Sequence, residues 1–277
     1  MKKLFAVLMA VLMMLVSAAF AEEAATGVED GILTVAMECA YAPYNWAQPD
    51  DSNGAVPIKD SILYANGFDV MTAKAICEAN GWQLEIMQLD WESLIPAVQS
   101  GICDAVIAGQ SMTAERMESV DFAGPYLYAS IVCLTRKDSK LADANGISDL
   151  AGAKGASQNS TIWYDIYMPQ IKDVDALAAE SAPAMLMALV SGTVDFVCTD
   201  MPTAQAALLA FPDLVLLDFT GGDDNFVIND EDVNIGISVR KGNTVLKNAI
   251  DEYLKDKTAE DFNKLMDEAI TIQPLSE

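Results

Sequence analysis

Apolar positions recur along this chain in two rhythms, and the rhythms alternate. Ile32–Met37 is a short, β-prone apolar run, and Trp82–Leu89 alternates apolar and polar residues as a half-buried strand does. Between them Phe68–Asn80 spaces Val70, Ala73, Ile76 and Cys77 along one helix face and stops at Gly81. Ser93–Gln99 reads as a helix, Cys103–Ala108 as a strand, and Thr113 as the cap of a short helix with Arg116 in its first turn. Tyr126–Thr135 is a long β-prone run that predicts a crossover strand. The second half follows a similar plan. It has a weak strand at Ala151–Ser157, a polar turn Gln158-Asn159-Ser160-Thr161, helices at Ile162–Ile171 and Ala184–Val190, and strands at Val215–Phe219 and Val233–Val239. The last strand crosses back. Pro202 suits the first turn of another helix, and the amphipathic helices Asn243–Leu254 and Ala259–Ile270 are predicted to cover the first half. Gln48–Asn66 is polar and turn-rich, a surface excursion. Strands alternating with helices predict an α/β fold of two lobes.

The halves also echo each other residue by residue. Ser100–Gly109 (SGICDAVIAG) and Ser191–Asp200 (SGTVDFVCTD) share Ser, Gly and Asp in step at a constant offset of 91. The echo puts Gly109 and Asp200 at equivalent places, just past the carboxyl end of a strand, where open α/β sheets take small ligands. Two such ends facing each other make a clamp.

Composition narrows this picture. Lys2 and Lys3 precede the apolar run Leu4–Phe20 and the small-residue cut Ala19-Phe20-Ala21, which predicts a secretory signal peptide over residues 1–21 rather than an uncleaved anchor. Residues 22–30 then form an acidic leader. The net charge of −25 becomes −27 once Lys2 and Lys3 are removed, a surface that repels nucleic acid and anionic lipid. The chain has no histidine, which excludes Ser-His-Asp and Cys-His nucleophiles and weakens the case for an enzyme. Five cysteines without a CxxC pair read as buried thiols, with a single disulfide left open. Asp50, Asp51 and Asn53 lack the spacing of a calcium loop, and no cofactor is expected.

The candidate chemistry lies at strand ends. In Gly109-Gln110-Ser111-Met112-Thr113-Ala114-Glu115-Arg116 a strand ends and a helix begins. Free N–H groups, the Ser111 hydroxyl and the planar fork of Arg116 describe a carboxylate receptor; a capped surface helix with a solvated Arg is the alternative. Asp200 suits either an ammonium group or the N-cap before Pro202. Tyr41, Tyr44 and Trp91 are pocket walls or core, and Glu38 reads a ligand side chain or sits in solvent.

Taken together, MECAYAPYNW, GFDVMTAKAICEANG, DWESLIPAVQSGICDAVIAGQSMTAERMESVDFAGPYLY and GTVDFVCTDMPTA resemble the polar amino-acid substrate-binding proteins of ABC transporters, the bacterial extracellular solute-binding proteins of family 3. The resemblance implies a two-lobed, type II periplasmic binding fold with a two-strand hinge. Lobe one would take residues 31–130 and 236–277, and lobe two residues 131–235. It also implies a monomeric periplasmic binder that captures an amino acid and hands it to the importer's permease subunits. An exported enzyme of the cyclohexadienyl dehydratase kind is the alternative, with Glu38 as its acid/base candidate. By matching position Arg116 would take the ligand α-carboxylate, Ser111 and the Gly109 backbone would assist at the carboxylate and amine, and Thr161 with its neighbour Ser160 would bring lobe-two donors to the carboxylate. Asp200 would hold the ammonium, Tyr41 and Trp91 would sandwich the ligand, and Glu38 would meet a basic side chain. Two departures stand out: Asn159 replaces a glycine common in the lobe-two turn, and the long Gln48–Asn66 excursion could border the cleft.

Overall fold

The computed structural model describes residues 27–229 and 233–274; the predicted signal peptide and leader residues 22–26 lie outside them. The chain runs β1 (Ile32–Met37), β2 (Ala40–Tyr41), β3 (Asn45–Gln48), β4 (Val56–Pro57), β5 (Tyr64–Asn66), α1 (Phe68–Asn80) and β6 (Gln83–Gln88). It continues through α2 (Leu94–Ser100), β7 (Ala105–Val106), α3 (Ala114–Ser119), β8 (Val120–Tyr128), β9 (Ile131–Arg136), β10 (Lys154–Gln158) and β11 (Asp175–Ala179). It ends with α4 (Ala182–Val190), β12 (Phe196–Asp200), α5 (Met201–Ala210), β13 (Leu214–Leu217), β14 (Asn234–Arg240), α6 (Thr244–Leu254) and α7 (Ala259–Ile272).

Two five-stranded sheets have matching plans, β6-β1-β7-β14-β8 and β11-β10-β12-β9-β13. In each, the echoed strand (β7 or β12) is central, with a parallel neighbour (β1 or β10) on one side and an antiparallel one (β14 or β9) on the other. The echo has a mechanical reason. Asp104 accepts the Thr34 N–H at 2.8 Å, and its counterpart Asp195 accepts the Lys154 N–H at 2.9 Å, each tying the echoed strand to its parallel neighbour. Gly101 and Gly192 both hold left-handed backbone, φ 76° and 78°, where a side chain is strained. Parallel strands covered on both faces read as continuous apolar runs, and Leu33, Val35, Ala36 and Met37 of β1 are fully buried.

The sequence and the fold part in six places. Tyr126–Thr135 is two strands, one in each sheet, with the chain passing between them at Ala129-Ser130. The return crossing comes before β14, not within it, and its backbone runs beside the first: Ala129 donates its N–H to the Val233 carbonyl at 2.9 Å. Ile162–Ile171 is a π-helical turn at Trp163–Tyr167 followed by a 3₁₀ turn at Met168–Gln170; Pro169, with no N–H, cannot continue a regular helix. The polar excursion is ordered, with β2–β5 forming a small antiparallel sheet whose strands are too short to show a period of two. It leans on lobe one through an Ile58–Ile86 bridge, and none of residues 48–66 lines the cavities between the lobes. The alanine-rich edge strand β11 was not foreseen. Finally, α7, opened by a Thr258–Asp261 capping box, packs on α1 and β8 but also touches α5 of the second sheet.

All five cysteines are buried thiols, and burial pushes Cys39, Cys77 and Cys103 up to about 12, which keeps them protonated and unreactive.

Candidate ligand-binding cleft

The two sheets face each other at the carboxyl ends of β1, β7, β10 and β12. The cavity there is only ≈ 20 Å³ and is lined by Glu38, Tyr41, Trp91, Gly109, Ser111 and Arg116 from one side and by Gln158, Thr161, Trp163, Ala182, Met185 and Thr199 from the other. That holds about one water molecule, so an amino acid enters only when the lobes part. A second cavity of ≈ 800 Å³ adjoins it, sharing Glu38 and Trp91.

Thr113 caps α3 by accepting the Arg116 N–H at 3.2 Å, which fixes the helix start and carries the Arg116 side chain to the cleft. The guanidinium donates to the Ser111 carbonyl and to the Ser160 carbonyl, both at 2.9 Å, and lies 5.2 Å over the Trp91 ring. Burial lowers its pKa to about 10, partly offset by Asp165 and Glu115, so it stays charged at neutral pH. Ser111, nearly buried, lines the same wall. Gly109 has φ 62°, and a Cβ there would come within 3.0 Å of the Tyr41 ring, so only glycine lets the backbone approach. Its N–H already donates to the Tyr126 hydroxyl at 3.3 Å, leaving the carbonyl for any ligand contact.

From the second sheet Thr161 lines the cavity, with its hydroxyl donating to the Gln158 carbonyl at 2.7 Å. Ser160 is brought in by its carbonyl, which accepts from Arg116 and from Trp91 Nε1; its own hydroxyl turns away toward Glu92. Asp200 does not line the cavity. It is fully buried as the N-cap of α5, accepting the Thr203 N–H and Thr203 hydroxyl at 2.9 Å each, and it also accepts the Tyr41 hydroxyl at 2.5 Å and the Tyr44 hydroxyl at 3.3 Å. Burial raises its pKa, and these donors oppose the rise. Tyr41 stacks on Tyr44 at 4.6 Å, so it forms a wall backed by a second ring.

Glu38 directly follows β1 and is 7% exposed. Burial pushes its carboxyl up to about 7, with the Gln158 amide opposing and nearby Asp90 adding to the rise. Gln158 Nε2 lies 3.0 and 3.1 Å from its two oxygens. Sequence reading missed Gln158, having taken it as part of a turn. The fold supplies the clue it lacked: Glu38 and Gln158 stand 120 residues apart, the same offset that relates Val35 to Gly155 in the two matching sheets.

The departing Asn159 has a visible consequence. Its side chain donates to Glu92 Oε1 across the lobes at 2.7 Å, and Ser160 Oγ adds a longer contact at 3.4 Å. A hydrogen bond in this exposed setting is worth about 0.5–1 kcal/mol. Asn159→Gly is therefore expected to lower ligand affinity about two- to fivefold by shrinking the closed population. Small-angle scattering of the ligand-free variant should show a larger radius of gyration than wild type.

A profile of the bacterial extracellular solute-binding proteins, family 3, matches residues 33–270. The chain belongs to this family. Among family relatives, a probable histidine-binding protein of Campylobacter jejuni is 27% identical over 232 residues, covering 83% of this chain and 77% of the relative. The octopine-binding periplasmic protein of Rhizobium meliloti is 32% identical over 118 residues, but that match covers only 43% of this chain and 36% of the relative. Among solved structures, an amino acid ABC transporter substrate-binding protein from Streptococcus pneumoniae bound to L-arginine superposes with a TM-score of 0.74 at 26% identity, covering 87% of this chain and 95% of that one. An ancestral amino acid-binding protein described as a precursor of cyclohexadienyl dehydratase gives 0.71 at 28% identity, covering 88% and 97%. The family-3 architecture is the type II periplasmic fold that the two matching sheets display.

Proposed function

We propose that this protein captures an amino acid with a basic side chain between its lobes and delivers it to the permease of an ABC importer on the outer side of the cytoplasmic membrane. The observation that carries the reading is the Arg116 guanidinium on the cleft wall, held by carbonyls of both lobes and facing a cavity whose far end carries Glu38. Arg116 takes the α-carboxylate, with the Ser111 and Thr161 hydroxyls beside it. The ammonium goes to Asp200 and the Gly109 carbonyl, displacing the Tyr41 hydroxyl. Tyr41 and Trp91 flank the ligand, and Glu38 receives its cationic end. The ligand supplies the differential affinity that holds the lobes together.

The protein acts as a monomer and a stoichiometric binder. A dehydratase on this fold would have to use Glu38 as its acid/base; the relatives named above are binding proteins, which favours capture. A thermal-shift screen against the twenty amino acids, followed by calorimetry, tests the proposal. Arginine, lysine or histidine should raise the melting temperature most, and no shift with any amino acid would end this reading. Glu38→Gln is expected to cost the preferred cationic ligand about 2 kcal/mol, roughly 30-fold, while changing a neutral amino acid's affinity far less.

A further inference from the structure

We propose that Gln158 is a specificity-determining residue, which with its counterpart Glu38 in the other half forms a two-lobed receptor that admits a cationic side chain and turns away a neutral one. The inference rests on the reading of the cleft as an amino-acid site. Its basis is the pairing of equivalent positions. Glu38 directly follows β1 and Gln158 is the last residue of the matching strand β10, both are buried, and one amide nitrogen spans both carboxyl oxygens at 3.0 and 3.1 Å. Gln158 is thus a built-in competitor for Glu38. A ligand amide or hydroxyl offers Glu38 only what Gln158 already gives it, so a neutral side chain gains little by displacing it. A guanidinium or ammonium makes charge-assisted bonds about twice as strong. It can also donate to the Gln158 side-chain carbonyl, so one cation satisfies both groups.

The surroundings reinforce the choice. Asp90, on the β6–α2 connection, acts on Glu38, and Glu92 and Glu180, the latter on the β11–α4 connection, line the adjoining cavity that Glu38 shares. Tyr41 lies beside Glu38 on lobe one, and Arg116, on the same cavity, is tied to the Ser111 and Ser160 carbonyls. Closure over a neutral side chain therefore buries Glu38 without a counter-charge and makes it take up a proton. Closure over a cation does not.

The experiment pairs arginine with citrulline, its neutral isostere, in calorimetry on the full mature chain, with far-ultraviolet circular dichroism melts to show that each variant folds. For wild type, arginine should bind at least tenfold tighter than citrulline at pH 7.5. Citrulline affinity should fall as the pH rises from 5 to 7, by up to tenfold per unit, while arginine affinity stays nearly flat. Gln158→Leu, which removes the competitor, should narrow the arginine-to-citrulline ratio at least fivefold and extend the citrulline pH dependence upward. Gln158→Glu, should the leucine variant fail to fold, should widen the ratio. Equal losses for both ligands in Gln158→Leu, or an unchanged ratio in either variant, overturns the role of Gln158 and leaves amino-acid capture standing. A wild-type protein that prefers citrulline overturns the cationic class, and one that binds no amino acid removes the underlying reading as well.

Discussion

Arg116→Ala should abolish amino-acid binding while leaving the fold nearly as stable as wild type. The guanidinium keeps its charge at a pKa of about 10 and is oriented by two carbonyls, one from each lobe. Truncating one partner of a desolvated, hydrogen-bonded charge pair costs about 2–5 kcal/mol, because the ligand carboxylate is left buried without a counter-charge. That corresponds to a loss of roughly 30-fold to several thousandfold. Losing the Ser160 contact adds a smaller bias toward the open form. The fold should tolerate the change: the guanidinium donates to two carbonyls at the cleft, and the Thr113 cap of α3 uses the backbone N–H, which alanine retains. Arg116→Lys is the sharper control. It keeps the charge but loses the planar fork, and should fall between wild type and alanine. Calorimetry with the preferred ligand and a thermal melt measure both halves of this prediction; wild-type affinity in Arg116→Ala would remove the carboxylate assignment.

Much of this was legible in the sequence because the two halves repeat a physical solution. The echoed Gly and Asp are kept by left-handed turns and by carboxylates that pin neighbouring strands, so repetition marked true structural equivalents. Amphipathic helices such as α1, which stops at Gly81 in left-handed backbone, announced themselves by periodicity. What escaped was whatever depends on tertiary partners. Strand β11 is mostly alanine, and only its parallel pairing with β10 makes it a strand. Strands of two residues, such as β2 and β4, carry no readable period. Within the site, Arg116, Ser111, Trp91 and Glu38 were legible from residue type and position, Thr161 only through the family resemblance, and all five do meet on one cavity. Gln158 was not, since a lone glutamine in a polar turn reveals nothing until the opposite lobe places a carboxylate against it. Ser160 entered through the family resemblance as a donor to the ligand carboxylate, yet it contributes its carbonyl, an acceptor that every residue has.

Asp200 sits where two jobs compete for one carboxylate, and substitution can separate them. As a cap it accepts the Thr203 N–H at the start of α5, a role worth about 0.5–2 kcal/mol. As an acceptor for Tyr41 and Tyr44 it links the lobes, since both tyrosines belong to the first and Asp200 to the second. Asp200→Ala removes both roles and leaves buried hydroxyls without an acceptor, at about 1–3 kcal/mol for such a group. The melting temperature should fall by several degrees, and ligand binding should be lost with it. Asp200→Asn is the informative change. Asparagine caps a helix about as well as aspartate and still offers a carbonyl oxygen to a tyrosine, so the melt should move by no more than a degree or two. The charge is gone, and an amide group that donates, here to the Tyr41 and Thr203 hydroxyls, replaces one of the two acceptor oxygens. If a ligand ammonium replaces the Tyr41 hydroxyl at this site, Asp200→Asn should weaken amino-acid binding about 100-fold, the loss expected when a buried ammonium faces a neutral amide in place of a carboxylate. Unchanged affinity in a stably folded Asp200→Asn would show that the carboxylate serves α5 and the two tyrosines alone, and that the ammonium is held elsewhere in the cleft.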